Sequence, residues 1–150
     1  MSERAGRVLA LDLGEARIGL ALSDPLGITA QPLGFLKRVG PRKDLAAIEE
    51  LVREHGVTTV VVGLPRLLSG AEGAKATEAR EVAARLERRL AGVALELWDE
   101  RLTTVEAERT LVAGNVRRRR RRERVDSLAA ALILQGYLEA RSARRGESGE

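Results

Sequence analysis

Two apolar runs limit what this chain can fold into. Val8-Leu-Ala-Leu-Asp-Leu13 and Thr58–Leu64 are apolar along nearly their whole length rather than at alternate positions. A strand built from such a run is buried on both faces, as in the parallel part of a sheet covered by helices. The intervening sequence fits that plan. Gly14-Glu-Ala-Arg17 has turn chemistry and Ile18–Ser23 reads as a strand, so Arg7–Leu13 and Ile18–Ser23 form a hairpin. A weaker third strand within Thr29–Leu36 contains Pro32, which places it at an edge. Pro41–His55 carries Leu45, Ile48, Leu51 and Val52 on one helical face and stops at Gly56.

Beyond Thr58–Leu64, the loop Gly63–Gly73 leads into a helix over Ala74–Leu90, and Val93–Glu100 is the next strand. Thr103 and Glu106 have capping-box spacing and open a helix to about Ala113. Glu123–Arg141 is the last helix, followed by a tail over 141–150 that frays from Gly146. This order predicts an α/β protein with a five-stranded mixed sheet. A three-strand antiparallel meander joins two parallel strands, with helices on both faces. At 150 residues the chain is expected to be a single domain over 1–150, with a core spanning about 7–140.

Composition removes much chemistry. There is no Cys and one His, which excludes disulfides, thiolate nucleophiles, zinc knuckles and paired-imidazole sites. Carboxylates, Arg, Lys, Ser, Thr and backbone amides remain, and carboxylates act on phosphates chiefly by holding divalent metal. The start is polar and no apolar stretch approaches about 20 residues, so the expectation is a cytoplasmic protein with no membrane partner.

The net charge of +4 is unevenly spread. Residues 1–116 carry 16 basic and 17 acidic side chains, and residues 117–150 carry 10 and 5. The excess lies in Arg117, Arg118, Arg119, Arg120, Arg121, Arg122 and Arg124, then Arg141, Arg144 and Arg145. Six consecutive like charges read as a mobile loop. That loop is either a solvated run or a phosphate-binding element, for which the planar arginine fork is suited.

Three carboxylates stand where a charge is costly or directed. Asp12 lies inside an apolar strand, where an unpaired carboxylate costs several kcal/mol, so it is either satisfied by turn amides near Gly14 or a ligand for metal or phosphate. Glu100 ends its strand on the face of Trp98, and adjacent Asp99 takes the other face. Asp126, read as a first-turn residue of the last helix, shares a stripe with Ala129, Ala130, Ile133 and Tyr137, with Glu123 one turn earlier as an auxiliary ligand. Carboxylates from separate elements can hold two divalent ions that stabilise the attacking and leaving oxygens of a displacement at phosphorus. Magnesium suits such oxygen ligands, and manganese is its usual substitute.

Four blocks carry a family resemblance: Leu11-Asp-Leu-Gly14 with Arg17-Ile-Gly19; Val61-Val-Gly-Leu-Pro65 with Gly70-Ala-Glu-Gly73; Asp99-Glu-Arg-Leu-Thr-Thr104 with Glu106-Ala107; and Val125-Asp-Ser-Leu-Ala-Ala130 running to Ile133-Leu-Gln135. Through them, over about residues 7–140, the chain resembles the YqgF/RuvX family, Holliday-junction-resolvase-like proteins regarded as pre-16S rRNA nucleases. The resemblance implies an RNase H-like fold, with Asp12, Glu100 and Asp126 as the catalytic, metal-holding acids. It implies Asp12 bridging two magnesium ions, with Glu100 and Asp126 holding one each, and the Arg117–Arg122 segment clamping a nucleic-acid backbone. Two departures stand out. Arg66-Leu-Leu-Ser69 replaces a polar stretch usual in the family, and the basic segment is purely arginine.

The expected function is therefore metal-dependent phosphodiester hydrolysis on structured RNA, in 16S rRNA 5′-end maturation. The alternatives are a branched-DNA (Holliday-junction) resolvase, a non-catalytic RNA-binding ribosome-assembly factor, and an actin-like or sugar-kinase ATPase that shares the Asp-x-Gly hairpin. The ATPase reading suffers from chain length, since such proteins clasp nucleotide between two domains. Gly63–Gly73 lacks the Gly-Lys-Ser/Thr ending of a phosphate loop. His55, at a helix end, reads as structural, and Trp98 and Tyr137 read as core. The last helix is apolar almost all round from Val125 to Leu138, which suggests burial on two sides, the second by a homodimer partner.

Overall fold

The computed structural model describes residues 6–65, 69, 71–100 and 118–148, with the side chains of 118–126 and 145–148 left undescribed. The hairpin strands are β1 (Arg7–Leu13) and β2 (Arg17–Ser23), followed by β3 (Ala30–Lys37). Then come α1 (Pro41–His55), β4 (Val57–Leu64), α2 (Ala74–Arg89), β5 (Ala94–Asp99) and α3 (Arg118–Ser148). The sheet runs β3-β2-β1-β4-β5. β1 pairs antiparallel with β2 and β2 with β3, while β4 runs parallel to β1 and β5 parallel to β4. The meander, the parallel half and Pro32 on an edge strand all match the sequence reading. The segment 103–113, expected to be a helix, lies outside the described residues.

Alternation along the central strands makes two cores. Leu9 and Leu11 of β1 and Val60 and Val62 of β4 pack with Leu45, Ile48 and Val52 of α1 and Ala76, Ala79, Ala83 and Leu86 of α2. Val8 and Ala10 of β1 and Val61 of β4 face the other way, against Ala129, Ala130, Ile133, Leu134 and Tyr137 of α3. Such strands are apolar throughout because both faces meet a helix. α1 starts with Pro41, whose missing N–H is no loss in a first turn. It ends at left-handed Gly56, φ 64°, whose N–H reaches the carbonyls of Arg53 and Val52. His55 is the last residue of α1, at the helix end where the sequence reading put it.

The last helix corrects the sequence reading at both ends. It begins at Arg118 rather than Glu123, so residues 118–122 are helical and not a loop; Arg117 lies outside the described residues. Arginine is a good helix former, and repulsion between like charges is screened within about 8–10 Å at ordinary salt. The helix also continues through Ser148 instead of fraying from Gly146. Asp126 is consequently two turns inside the helix, beyond the reach of the terminal dipole. On α3, Gln135 and Glu139 are exposed and bonded to each other at 2.9 Å.

Two serines stitch irregular points of the sheet. Pairing of β2 with β3 shifts between Leu20 and Ala21, leaving Leu33 as an extra residue. The Gly34 N–H donates there to Ser127 Oγ of α3 at 3.1 Å, and that hydroxyl donates to the Leu20 carbonyl at 3.3 Å. At the Arg7/Val8 irregularity, the Val8 N–H donates to Ser23 Oγ at 2.8 Å. Between β2 and β3, Asp24 accepts the N–H groups of Ile28 and Thr29, each at 2.7 Å, and of Leu26 at 3.2 Å. These backbone donors, Thr29 foremost, hold its carboxyl below the ordinary 3.8.

Two outcomes follow. Ser127→Ala leaves the Gly34 N–H without its partner and should lower stability by about 1–3 kcal/mol, read by urea denaturation; an unchanged midpoint would mean the bulge repairs itself. Because the Asp24 carboxyl titrates lower folded than unfolded, its contribution is present above the ordinary carboxylate value and lost as pH falls through the folded value. Asp24→Asn should therefore flatten the acid limb of a stability-against-pH profile, and superimposable acid limbs would rule this out.

Candidate active site and nucleic-acid interface

Asp12 is the penultimate residue of β1, only 5% exposed, on the face covered by α3. Alternation puts it there with Val8 and Ala10. It pairs with Gly19 of β2. On its other side Leu11 pairs with Val62, so the next residue of β4, Gly63, lies beside it one strand spacing away, about 5 Å. Gly63 in turn pairs with Trp98 of β5.

Glu100 follows β5 directly. A Cβ built on Gly63 would come within 2.7 Å of Glu100 Oε2 and 2.7 Å of Ile133 Cδ1 on α3. The Glu100 carboxylate thus lies in the space a side chain at 63 would take, on the same face as Asp12. The bare backbone of Gly63 lets the residue that follows β5 lean over β4. Asp99 pairs with Leu64 and alternates to the opposite face, alongside Leu97 of the other core. The two adjacent acids are parted as their alternation requires.

Asp126 belongs to α3, and helical spacing places position 126 on the stripe of Ala129, Ala130 and Ile133, all fully buried on the sheet. Its side chain and that of Glu123 lie outside the described residues. The neighbouring Ser127 is pinned to β2 and β3 by the two bonds already described. Among the described residues, no three His, Cys, Asp or Glu side chains gather as a metal would need. The structure thus brings Asp12 and Glu100 together by position and puts the backbone of residue 126 on the helix that covers them.

The course of α3 places its basic end. Ser127 touches β2 at Leu20, and a Cβ on Gly27, in the turn after β2, would meet Arg141 Nη2 at 2.5 Å. Going back from Ser127, the backbone of 118–126 therefore runs toward the end of the sheet where β1 finishes and β2 starts, the end that holds Asp12. At about 1.5 Å per residue it covers about 13 Å. Arg118–Arg122 and Arg124 are on this stretch, and their side chains lie outside the described residues. Arg66–Leu68 in the loop after β4 lie outside them too. Trp98 and Tyr137 pack edge to face at 6.3 Å against the α3-side core, as read from sequence, and burial pushes the Tyr137 phenol up.

Sequence reasoning missed Arg38, just past β3. Its N–H donates to the Ala16 carbonyl at 2.9 Å and its Nη1 to the Gly14 carbonyl at 2.6 Å. Nη2 reaches Glu78 of α2 at 2.5 Å, and Nε lies 3.9 Å from Asp44 of α1. One guanidinium thereby fastens the turn that follows Asp12 to both helices on the far face. No spacing rule marks it, because its partners lie 24 and 40 residues away.

The sequence profile of the RuvX family, described as Holliday junction resolvase, matches residues 6–140. A protein of Symbiobacterium thermophilum named as a candidate pre-16S rRNA nuclease is 49% identical over 142 residues, covering 95% of this chain and 98% of its own. A protein of the same name from Koribacter versatilis is 50% identical over 142 residues, covering 95% and 92%. Among solved structures, T. thermophilus RuvC in complex with Holliday junction substrate superposes with a TM-score of 0.59 at 20% identity, covering 94% of this chain and 96% of that one. That likeness identifies the sheet and its helices as an RNase H-like fold. With the profile matched from β1 through most of α3, and relatives near half identity along almost the whole chain, this protein belongs to the RuvX family.

Proposed function

We propose that this RuvX-family nuclease is a divalent-metal-dependent phosphodiesterase acting on structured RNA, in the maturation of the 16S rRNA 5′ end in the cytoplasm. The observation that carries the reading is the Glu100 carboxylate lying over Gly63, one strand from buried Asp12. A charge in the middle of a sheet and a second leaning toward it is a costly arrangement that a bound cation offsets.

The donor set fits a hard cation such as magnesium, with manganese as substitute, because it is made of carboxylate oxygens with no thiolate or imidazole. Asp12 and Glu100 would hold it, with Asp126 as the third ligand. When bound, such a cation stabilises the charge that develops on the oxygens of a displacement at phosphorus. The chain's own residues supply the rest. Gly63 leaves room for Glu100, Arg38 fixes the turn behind Asp12, and Ser127 fixes the helix turn next to Asp126. The arginines at the start of α3 hold the substrate backbone without reading sequence. A second reading, cleavage of branched DNA, is favoured by the description of the matched family profile and by the fold shared with RuvC.

Purified protein with magnesium on labelled precursor 16S RNA and on a four-way DNA junction separates the readings. Cleavage of the RNA is expected, junction cleavage alone would favour the resolvase, and binding without cleavage the assembly factor. Asp12→Asn should abolish magnesium-dependent cleavage while leaving the thermal transition in place; full activity in that folded variant would sink the assignment. Gly63→Ala crowds the tips of Glu100 and Ile133, at about 1–3 kcal/mol, and should lower kcat well beyond the loss of folded protein. Equal kcat for Gly63→Ala and wild type would show that the Glu100 position is not used.

A further inference from the structure

We propose that the cavity between α1 and α2 is a binding site for a primary alkylammonium group, carried by a polyamine or by a lysine side chain of a protein partner. The cavity lies on the face of the sheet opposite Asp12, so its occupant and a nucleic acid do not compete for one surface. Nothing about it depends on what the carboxylates of the other face do.

The cavity measures about 120 Å³ and reaches the core, with Ile18 of β2, Leu45 and Ile48 of α1 and Val82 of α2 as its apolar floor. Its walls carry three carboxylates, Asp44, Glu78 and Glu81, against two guanidinium groups, Arg38 and Arg85, which leaves one negative charge in excess. Arg38 spends Nη1 on the Gly14 carbonyl and Nη2 on Glu78 Oε2, and Arg85 is exposed.

Asp44 is the most enclosed of the three acids, with 10% of its side chain exposed. Its Oδ1 accepts the Val39 N–H at 3.0 Å, whereas Oδ2 lies 3.9 Å from Arg38 Nε, beyond hydrogen-bond length. Among the described residues, Trp98 Nε1 is the only fully enclosed side-chain atom without a hydrogen bond. Asp44 Oδ2 therefore opens onto the cavity it lines, a deeply placed acceptor without a donor. Glu78 commits one oxygen to Arg38. Glu81, three residues further along α2, makes no hydrogen bond or ion pair among the described residues.

These acceptors select the class of ligand. An anion would meet a wall that is net negative, and no three acids among the described residues gather closely enough for a metal ion. An apolar floor under charged walls suits a cation on an aliphatic stem, whose methylenes cover the floor while its charge meets the carboxylates. An ammonium has three rotatable donors and takes acceptors that lie in different directions, whereas a planar guanidinium needs them side by side.

The test is a titration of the full chain with n-butylammonium chloride at constant ionic strength, followed by backbone amide shifts in nuclear magnetic resonance. n-Butanol and sodium chloride are the controls for the apolar body and for the charge. Saturable, millimolar binding of n-butylammonium is expected, with shifts confined to amides around the cavity and reproduced by neither control. Putrescine and the peptide acetyl-Gly-Lys-Gly-amide then separate the sources, the tighter of the two naming a polyamine or a protein partner. Asp44→Asn keeps an acceptor for the Val39 N–H but loses the charge, and it should weaken n-butylammonium binding several-fold. Glu81→Gln, at an exposed position of α2, should weaken it too, and it decides alone if Asp44→Asn does not fold. No saturable shift with n-butylammonium, shifts that n-butanol reproduces, or wild-type affinity in the folded variants overturns the site.

Discussion

Burying a carboxylate in the central strand is the constraint around which this protein is organised. Asp12 is flanked by β2 and β4 and covered by α3, with 5% of its surface exposed. A lone charge there would cost several kcal/mol, so the surroundings have to favour it. Nearby residues are correspondingly small or polar. Gly19 and Gly63 are its neighbours across the two adjoining strands, and alanines line the helix above. A side chain at 63 would collide with Ile133 of α3 and take the room that Glu100 occupies.

Fixing that site takes anchors on both faces. Below the sheet, Arg38 joins the Gly14 turn to α1 and α2, so the end of β1 cannot shift independently of them. Above it, Ser127 wedges its hydroxyl into the β2–β3 irregularity and sets both the rotation and the depth of α3 at the turn next to residue 126. Neither residue is itself a candidate ligand. Both limit how far the elements that carry the acids can move, which is what a site built on a strand and a helix needs to hold its geometry.

Much of this was legible in the sequence, for identifiable reasons. The bounds of β1 and α1 follow from an apolar run and a 3.6-residue period with Pro41 and Gly56 as punctuation, and both match residue for residue. Asp12 stood out because a charge inside an apolar run is costly, and the face of Glu100 followed from alternation with Trp98. What sequence could not supply were contacts between residues far apart in the chain. Arg38 with Gly14 and Glu78, Ser127 with Leu20 and Gly34, and Glu100 over Gly63 have no local signature. The start of α3 departs from the like-charge expectation because the helix propensity of arginine outweighs a screened repulsion, and Asp126 therefore lies in the helix interior instead of its first turn.

The most direct measurement is of cation binding by the folded protein, independent of any substrate. Manganese titrated into the wild type and into the Asp12→Asn and Glu100→Gln variants, with free ion counted by electron paramagnetic resonance, reads the carboxylates themselves. Saturable binding in the wild type, weakened at least tenfold in each folded variant, is the expected result. Manganese binding of equal strength in all three proteins would contradict a metal site built from these two acids.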